Sequence, residues 1–321
     1  GAKEVYQVIK QLSGKYSVTA TCAVLGINHS NYQHFLTTTQ DLDNKKKLED
    51  DLIRDEVENL INLPASSRYG YRPMTHQLRR DGFQINGQFI NHKRVLRVMR
   101  ENNLLCEIKK AFINTTDSNH NLRRYSNLLK RENIRITGLD QVWVSDITYI
   151  KLPEGFVYLA VVIDAYSRKV IGYCLSKNID KDLVLEALKM ALKERRIINA
   201  NNQLIHHSDQ GVQYASQPYT DLLKFYGLRI SMSNPGSPWE NGMAESFFKT
   251  LKTNEVYLSD YQNIWEAKQN LFKFIDDVYN TRRLHSSLGY LPPCEFEELV
   301  KSSTVENINN INQTELATVL R

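Results

Sequence analysis

A chain of 321 residues, 41% hydrophobic and 24% charged, is longer than one ordinary domain and has the composition of a globular protein of two or three. No apolar run approaches the ~20 residues of a membrane span and no basic-then-apolar leader opens the sequence, which argues against a membrane role; the four cysteines, scattered at 22, 106, 174 and 294, form neither a zinc pair nor a disulfide framework and fit a reducing cytosol. The net charge of +5 hides an imbalance: residues 65–135 hold fifteen Lys and Arg against five acids, leaving the rest at −5, the footprint of a module that binds a polyanion, most often nucleic acid.

Residues 1–43 read as a helix-turn-helix-like domain. "VYQVIKQL" and "TATCAVLGINHSNYQHFL" are short amphipathic runs broken at Gly26, with Ala20, Ala23 and Leu25 facing inward and Ser30 and Tyr32 opening the next helix. Residues 44–107 read as a second helical DNA-binding domain. An acidic helix over about 44–63 ends near Pro64, and helices over about 73–80 and 91–102 then flank a Gly-containing connection. In the last of these, Lys93, Arg94, Arg97 and Arg100 share one face while Val95, Leu96, Val98 and Met99 are left for the core, a division suited to a DNA groove. Arg68, Arg72, Arg79 and Arg80 belong to the same basic block, and Arg123 and Arg124 lie in a polar, basic linker over 108–140 that tracks phosphates.

From 141 the pattern turns to strands. Those over 141–151, 156–164 and 169–177 have tight connections and form a meander. A helix over about 180–195 follows, capped by Asp180, with Leu183, Ala187, Met190 and Ala191 on one face. Then come the strand "QLIHHSD", a helix over about 217–226, the strand "RISMS", the Gly/Pro loop "NPGSPWENG" and a helix over about 241–256. This order predicts an α/β fold, a mixed sheet covered on both faces as in a ribonuclease-H-like catalytic core over 141–258, with a helical extension and tail over 259–321.

Asp146 stands inside "QVWVSDITYI", a strand apolar on both faces, where an unpartnered carboxylate costs several kcal/mol by order of magnitude. An arginine partner, a hydrogen-bonded strand end, a turn or a divalent metal would each compensate it. Asp209 ends the fourth strand and Glu245 lies on the helix after the Gly/Pro loop; in this strand order the first and fourth strands are neighbours, so the three carboxylates converge. An all-oxygen set without Cys or a His triad favours Mg²⁺ or Mn²⁺. Two such ions, with Asp146 between them and Asp209 and Glu245 completing either side, suit in-line displacement at phosphorus. Glu245, Lys249 and Lys252 fall on one helical face and Phe247, Phe248 and Leu251 on the buried one, so the two lysines are DNA-backbone candidates. His207 is either an orienter of Asp209 or an ordinary strand-end histidine.

The ordered motifs "VWVSDITYI", "VVIDAYSRKVIGY", "HHSDQGVQYAS", "SMSNPGSPWENGMAESFFKTLK" and "YNTRRLHSSLGYLPP", with 35 residues between Asp209 and Glu245, resemble the catalytic region of the insertion-sequence-3 family of transposases, relatives of retroviral integrases. Upstream, "RYGYRPMTHQLRRDG" and "NHKRVLRVMRENNLL" resemble the helix-turn-helix segment of the family's downstream reading frame, so the likeness covers about residues 50–296. It implies a transposase that nicks element ends with water and transfers the exposed 3′-hydroxyl, using two Mg²⁺ or Mn²⁺ ions held by Asp146, Asp209 and Glu245. Asn241 and Gly236 would shape the approach to Glu245; Glu240 stands where the family usually has Asp. The implied partners are the terminal inverted repeats, target DNA, further copies of the chain and the upstream-frame helix-turn-helix/leucine-zipper protein, since no heptad run is present here. The implied place is the bacterial cytoplasm, at the nucleoid.

Other readings remain at this point. Arg282, Arg283, His285 and Tyr290 are residue types of a tyrosine recombinase, but compressed into nine positions; the first three are expected to contact DNA or cap a helix. A catalytically idle DNA-binding regulator would have no need of all three acids, and a structure-selective nuclease of the same fold would cut without joining.

Overall fold

The computed structural model describes residues 2–106, 122–234 and 241–302. The chain divides into two compact units, one made of residues 1–60 and 78–105 and the other of 61–77 and 106–321. The division falls inside helix α4 (Tyr71–Arg80).

In the first unit, α1 (Ala2–Leu12), α2 (Val18–Val24) and the start of α3 (His29–Ile61) close a small core of Ile9, Cys22 and Tyr32, flanked by Val5, Val18, Ile27 and Phe35. Gly26 takes φ +66° at the turn, a region open to glycine at little cost. The residues expected inside are not there: Ala20, Ala23 and Leu25 are exposed, because α2 is under two turns long and presents only Val18 and Cys22, spaced i and i+4, to its neighbours. Nor is there a break between residues 43 and 44. The stretch between Leu36 and Leu48 is polar but holds no Pro or Gly, so α3 runs unbroken for 33 residues, about 50 Å. Its far end buries Ile53, Val57 and Leu60 at i, i+4 and i+7.

Strands β1 (Gln84–Ile85) and β2 (Gln88–Phe89) form a hairpin over Asn86 and Gly87, both at positive φ, as a two-residue Asn-Gly turn requires. Asn91 caps α5 (His92–Glu101) by accepting from the Lys93 amide, and α5 buries Val95, Val98 and Met99.

The second unit is built on β3 (Val142–Leu152), β4 (Gly155–Asp164), β5 (Val170–Ser176), β6 (Ile205–Ser208) and β7 (Arg229–Met232), in the order β5-β4-β3-β6-β7. The first three are antiparallel, whereas β6 runs parallel to β3 and β7 parallel to β6. This is the order and mixed sense of the expected ribonuclease-H-like sheet. One face carries α7 (Lys181–Glu194), α8 (Val212–Ala215) and α9 (Gln217–Phe225). Helix α7 packs so close that a Cβ on Gly172 would run into the Ala187 carbonyl. The other face carries α10 (Gly242–Asn254) and α11 (Ile264–Lys273), and α11 continues into a π-helical turn at Phe274–Asn280.

The segment after residue 258 therefore shares the sheet's own core: Tyr261, Leu271, Phe274 and Tyr279 are buried with Val144 and Ile150. The Asn280 amide both donates to and accepts from the Val170 backbone on edge strand β5, satisfying groups a bare edge would expose. Helix α12 (Pro293–Ser302) buries Glu297, which pairs with Arg195 and accepts from Ser167. Part of the expected linker is structural as well. Helix α6 (Leu128–Arg131) buries Leu128, whose amide donates to Ser231 Oγ; residues 107–121 lie outside the described residues.

Candidate active site

Side-chain alternation along β3 puts Asp146 on the face of Val142, Val144 and Ile150, the face that α10 covers. In the parallel β3–β6 pairing Val144 lies opposite His207, so two residues further on Asp146 and Asp209 reach the same point of the sheet on the same side. Helix α10 buries Ala244, Phe247, Phe248 and Leu251 against that face and leaves Glu245 exposed above it.

Asp146 accepts from the Ile147 amide at 2.8 Å. Burial pushes its carboxyl well above the usual range, the negative charges of Asp209 and Glu245 push further, and Lys252 opposes them. Among the described residues no arginine pairs with Asp146, so the first of the ordinary compensations is absent. Lys252 Nζ lies 4.4 Å above the Tyr149 ring, and burial lowers its pKa while Asp146 raises it.

Asp209 is held by its own turn: its Oδ1 accepts from Gly211 N at 2.9 Å, and a Cβ at Gly211 would sit 2.9 Å from that oxygen. Asn241, buried at the start of α10, donates to the Ser145 carbonyl at 3.1 Å and so ties the Glu245 helix to β3 beside Asp146. Gly236 and Glu240 lie outside the described residues.

Behind the acids lies a polar layer that the sequence did not reveal. His206 Nε2 is within hydrogen-bond distance of Ser145 Oγ and Tyr219 Oη, at 2.8 and 2.9 Å, and burial pushes its pKa down to about 3. Tyr214 is buried against Tyr219 and its hydroxyl has no hydrogen-bond partner among the described residues; Asp146 and Asp209 both act on it electrostatically. His207 Nδ1 lies 2.8 Å from Ser231 Oγ and so links β6 to β7.

Among the described residues no three His, Cys, Asp or Glu side chains are drawn close enough to make a ready coordination sphere. The chemistry of the donors nevertheless fits a hard divalent cation. Three carboxylates share one field with a single half-buried lysine, and such a set favours added positive charge and oxygen coordination.

The proposed DNA contacts separate into two groups. Arg72, Arg79, Arg80, Lys93, Arg100, Arg123, Arg124, Lys249 and Arg282 are exposed. Of these, Arg79 reaches the Ile90 carbonyl and Arg123 lies over Tyr125. Arg94 and Arg97 are instead engaged within their unit: Arg94 bonds to Glu49 and Asp50, and Arg97 to Asp50 and Glu101. Their place on the basic face of α5 also points at acids on α3, which helical spacing within α5 could not disclose. Arg68 is half-buried, 4.0 Å from Cys106 Sγ. Arg283 and His285 are recessed too, Arg283 donating to the Ala65 carbonyl and lying over Tyr69, and His285 packed edge-on against Tyr279.

The integrase core domain family matches residues 137–238, a second integrase core family matches 226–293, and an HTH-like domain family matches 48–112. The chain is similar to an insertion element IS600 31 kDa protein of Shigella sonnei, 34% identical over 86% of this chain and 97% of that one. It is similar to the transposase of insertion sequence IS904 from Lactococcus lactis, 32% identical over 79% and 96%, and to transposase InsF of IS3A from Escherichia coli, 32% identical over 91% and 98%. Among solved structures it is similar to an HTLV-2 integrase catalytic core domain in complex with magnesium, with TM-score 0.37 and 18% identity over 49% of this chain and 95% of that one. A simian T-cell lymphotropic virus intasome chain gives TM-score 0.41 and 17% identity over 76% of each. No helix among the described residues is long and apolar enough to cross a membrane.

Proposed function

Because this chain belongs to the insertion-sequence-3 family of transposases, and so is a polynucleotidyl transferase of DNA transposition, we propose that Asp146, Asp209 and Glu245 form its active site and hold two Mg²⁺ or Mn²⁺ ions. The observation that carries this reading is the half-buried Asp146, under the charge of Asp209 and Glu245, with no arginine among the described residues to neutralise it. When bound, the ions would polarise the attacking oxygen and stabilise the leaving one during in-line displacement at phosphorus. Asp146, which feels the charge of both other acids, would serve both ions, with Asp209 and Glu245 each completing one side; Asn241 holds the Glu245 helix to β3, and Lys252 would bring positive charge toward a scissile phosphate. Water is the first nucleophile, releasing a 3′-hydroxyl at the element end; that hydroxyl then attacks a target phosphodiester, and the displaced strand leaves with its own 3′-hydroxyl.

The HTH-like domain and the exposed cations Arg72, Arg80, Lys93, Arg100, Arg123, Arg124, Lys249 and Arg282 would hold terminal repeats and target by their phosphates. Two ends must be held together, so the working form is an oligomer on DNA, at the nucleoid, with the upstream-frame helix-turn-helix/leucine-zipper protein as a further partner. The domains in this reading are the helical modules before residue 107, the core from 141 and the extension from 259.

The test is a reaction of labelled element ends with Mg²⁺, resolving nicked from joined products for wild type, Asp146→Asn, Asp209→Asn and Glu245→Gln. Both products should vanish in all three variants while DNA binding persists. Activity retained in any of them would remove that residue from the site.

A further inference from the structure

The hairpin of β3 and β4 runs on past its neighbour in the sheet. Strand β6 pairs with β3 only at Val142–Val144, so among the described residues no strand covers that edge of β3 from Ser145 to Leu152. Register and alternation then divide the projecting hairpin into two faces. Thr148, Ile150, Leu152 and Val157 are buried on the face of Asp146 and α10. The opposite face carries Tyr149 across from Tyr158, and Lys151 across from Phe156. Tyr158 packs at the margin of the core beneath α7, whereas Tyr149 and Phe156 belong to neither core of the sheet. Phe156 is 49% exposed, and Tyr149 and Tyr158 are partly exposed.

The open face of an antiparallel pair is ordinarily polar; here it consists of three aromatic rings and a lysine. Tyr149 and Phe156 meet edge to face, with centroids 5.5 Å apart and planes at 81°. Such a cross-strand contact steadies the hairpin, yet it leaves half of Phe156 in water and so does not account for that surface. A second contact ties the face to the acids. Lys252 belongs to α10, on the Asp146 side of the sheet, but its Nζ lies 4.4 Å over the Tyr149 ring, so ammonium and ring meet at the open edge of β3. Asp146 and Tyr149 are three residues apart on that strand, about 10 Å.

We propose that Tyr149, Phe156 and Tyr158 form a stacking platform for unpaired bases of the DNA strand whose phosphate sits at the three acids, with Lys151 and Lys252 taking neighbouring phosphates. The platform rests on the active-site reading of Asp146 given above. Every base has a π-face, so aromatic rings accept an unpaired strand without reading its sequence. The two lysines at the border complement a chain of phosphates and would have no counterpart on a neutral apolar partner. A base drawn out of the duplex near the scissile bond loses its stacking, and the hairpin offers a replacement within reach of the acids.

Phe156 lies opposite Lys151, five residues beyond Asp146, about 17 Å along the strand or about five stacked nucleotides. The test places a single 5-iodouracil at each position within that reach of the scissile phosphate, on element ends bound to the full-length wild-type protein, and maps photocrosslinks by peptide mass spectrometry. Crosslinks should fall on Tyr149, Phe156 or Tyr158, more strongly where the base is mismatched than where it is paired. With Mg²⁺, Phe156→Leu should lower strand transfer about tenfold at unchanged circular dichroism, and Phe156→Tyr should transfer as the wild type does. Absence of crosslinks to all three rings from every position, or full transfer by Phe156→Leu, would overturn the platform. So would a change of oligomeric state in Phe156→Leu without crosslinks, which would assign the face to a second copy of the chain. Asp146→Asn should crosslink as the wild type does while its chemistry is lost. A wild type that joins ends without crosslinking therefore refutes the platform alone, and an active Asp146→Asn refutes the active site alone.

Discussion

The side-chain amide of Asn241 donates to the carbonyl of Ser145 across 3.1 Å, joining the N-cap residue of the Glu245 helix to the residue before Asp146. The bond spans 96 positions of sequence and sets where one acid stands relative to another. Asn241→Ala should cost about 1–2 kcal/mol of stability and raise the Mg²⁺ concentration needed for half-maximal strand transfer. Asn241→Asp should be worse than Ala, because it sets a carboxylate against the carbonyl. A Mg²⁺ titration of transfer for the two variants checks the order; an unchanged titration would make Asn241 a packing residue only.

Tyr214 and Tyr219 offer one chemical change with opposite signs. The Tyr219 hydroxyl meets His206, while that of Tyr214 is buried without a partner among the described residues. Tyr219→Phe should destabilise by about 1–3 kcal/mol, and Tyr214→Phe should leave the metal-free protein equal or more stable by about 1 kcal/mol, since removing a buried unsatisfied hydroxyl removes its desolvation cost. Urea unfolding of both variants decides it.

On α5 the four cations should separate by partner. Arg94→Gln and Arg97→Gln break charged bonds to Glu49 and Asp50 and should each cost about 1–3 kcal/mol. Lys93→Gln and Arg100→Gln, being exposed, should leave stability within about 0.5 kcal/mol and lower the salt dependence of DNA binding by about one unit of slope each. If Arg94→Gln flattened the salt slope at unchanged stability, its place in the α3–α5 contact would be wrong.

Two buried histidines should each withdraw stability as the solution is acidified below about 6.5. His206 and His285 are each held down to about 3 in the folded chain against an ordinary value near 6.5. Below about 6.5 the unfolded chain binds more protons, so each histidine withdraws about 1.4 kcal/mol per pH unit until the folded value is approached. Glu297 adds a later loss. Burial raises its pKa, but Arg195, Ser167 and Lys169 together hold it below the ordinary value; its contribution is therefore complete above that value and disappears as pH falls through the folded one. Asp146, held well above the ordinary carboxylate range, works in the opposite direction, so the histidine contribution is read as a difference: between about pH 6.5 and 4.0 the unfolding free energy of the wild type should fall more steeply than that of His206→Asn.

How far the sequence discloses this protein depends on the range of the interaction. Strand order, the helix carrying Glu245 and the meeting of Asp146 with Asp209 follow from alternation, turns and spacing, which are local, and the family resemblance supplied the rest of the site. The acidic helix expected over about 44–63 is the far part of α3, which runs on from His29 because no breaker interrupts it. Ala20, Ala23 and Leu25 were placed inside by apolar character, with no partner surface to say which side was inner. Arg94 and Arg97, Arg283 with Tyr69, and Glu297 with Arg195 are decided by residues tens to hundreds of positions away, for which no local pattern exists. The lack of a hydrogen-bond partner for the Tyr214 hydroxyl among the described residues is a property of three-dimensional surroundings alone.

The unbroken course of α3 makes its two ends a matter of phase. Tyr32 faces the core of the first two helices at one end and Ile53, Val57 and Leu60 face another at the far end, and the polar stretch between them keeps the count. One residue added there would turn the two buried stripes by about 100° relative to each other, whereas seven would return them to within about 20°. That stretch, the least distinctive in composition, tolerates almost any substitution that stays helical but almost no change of length.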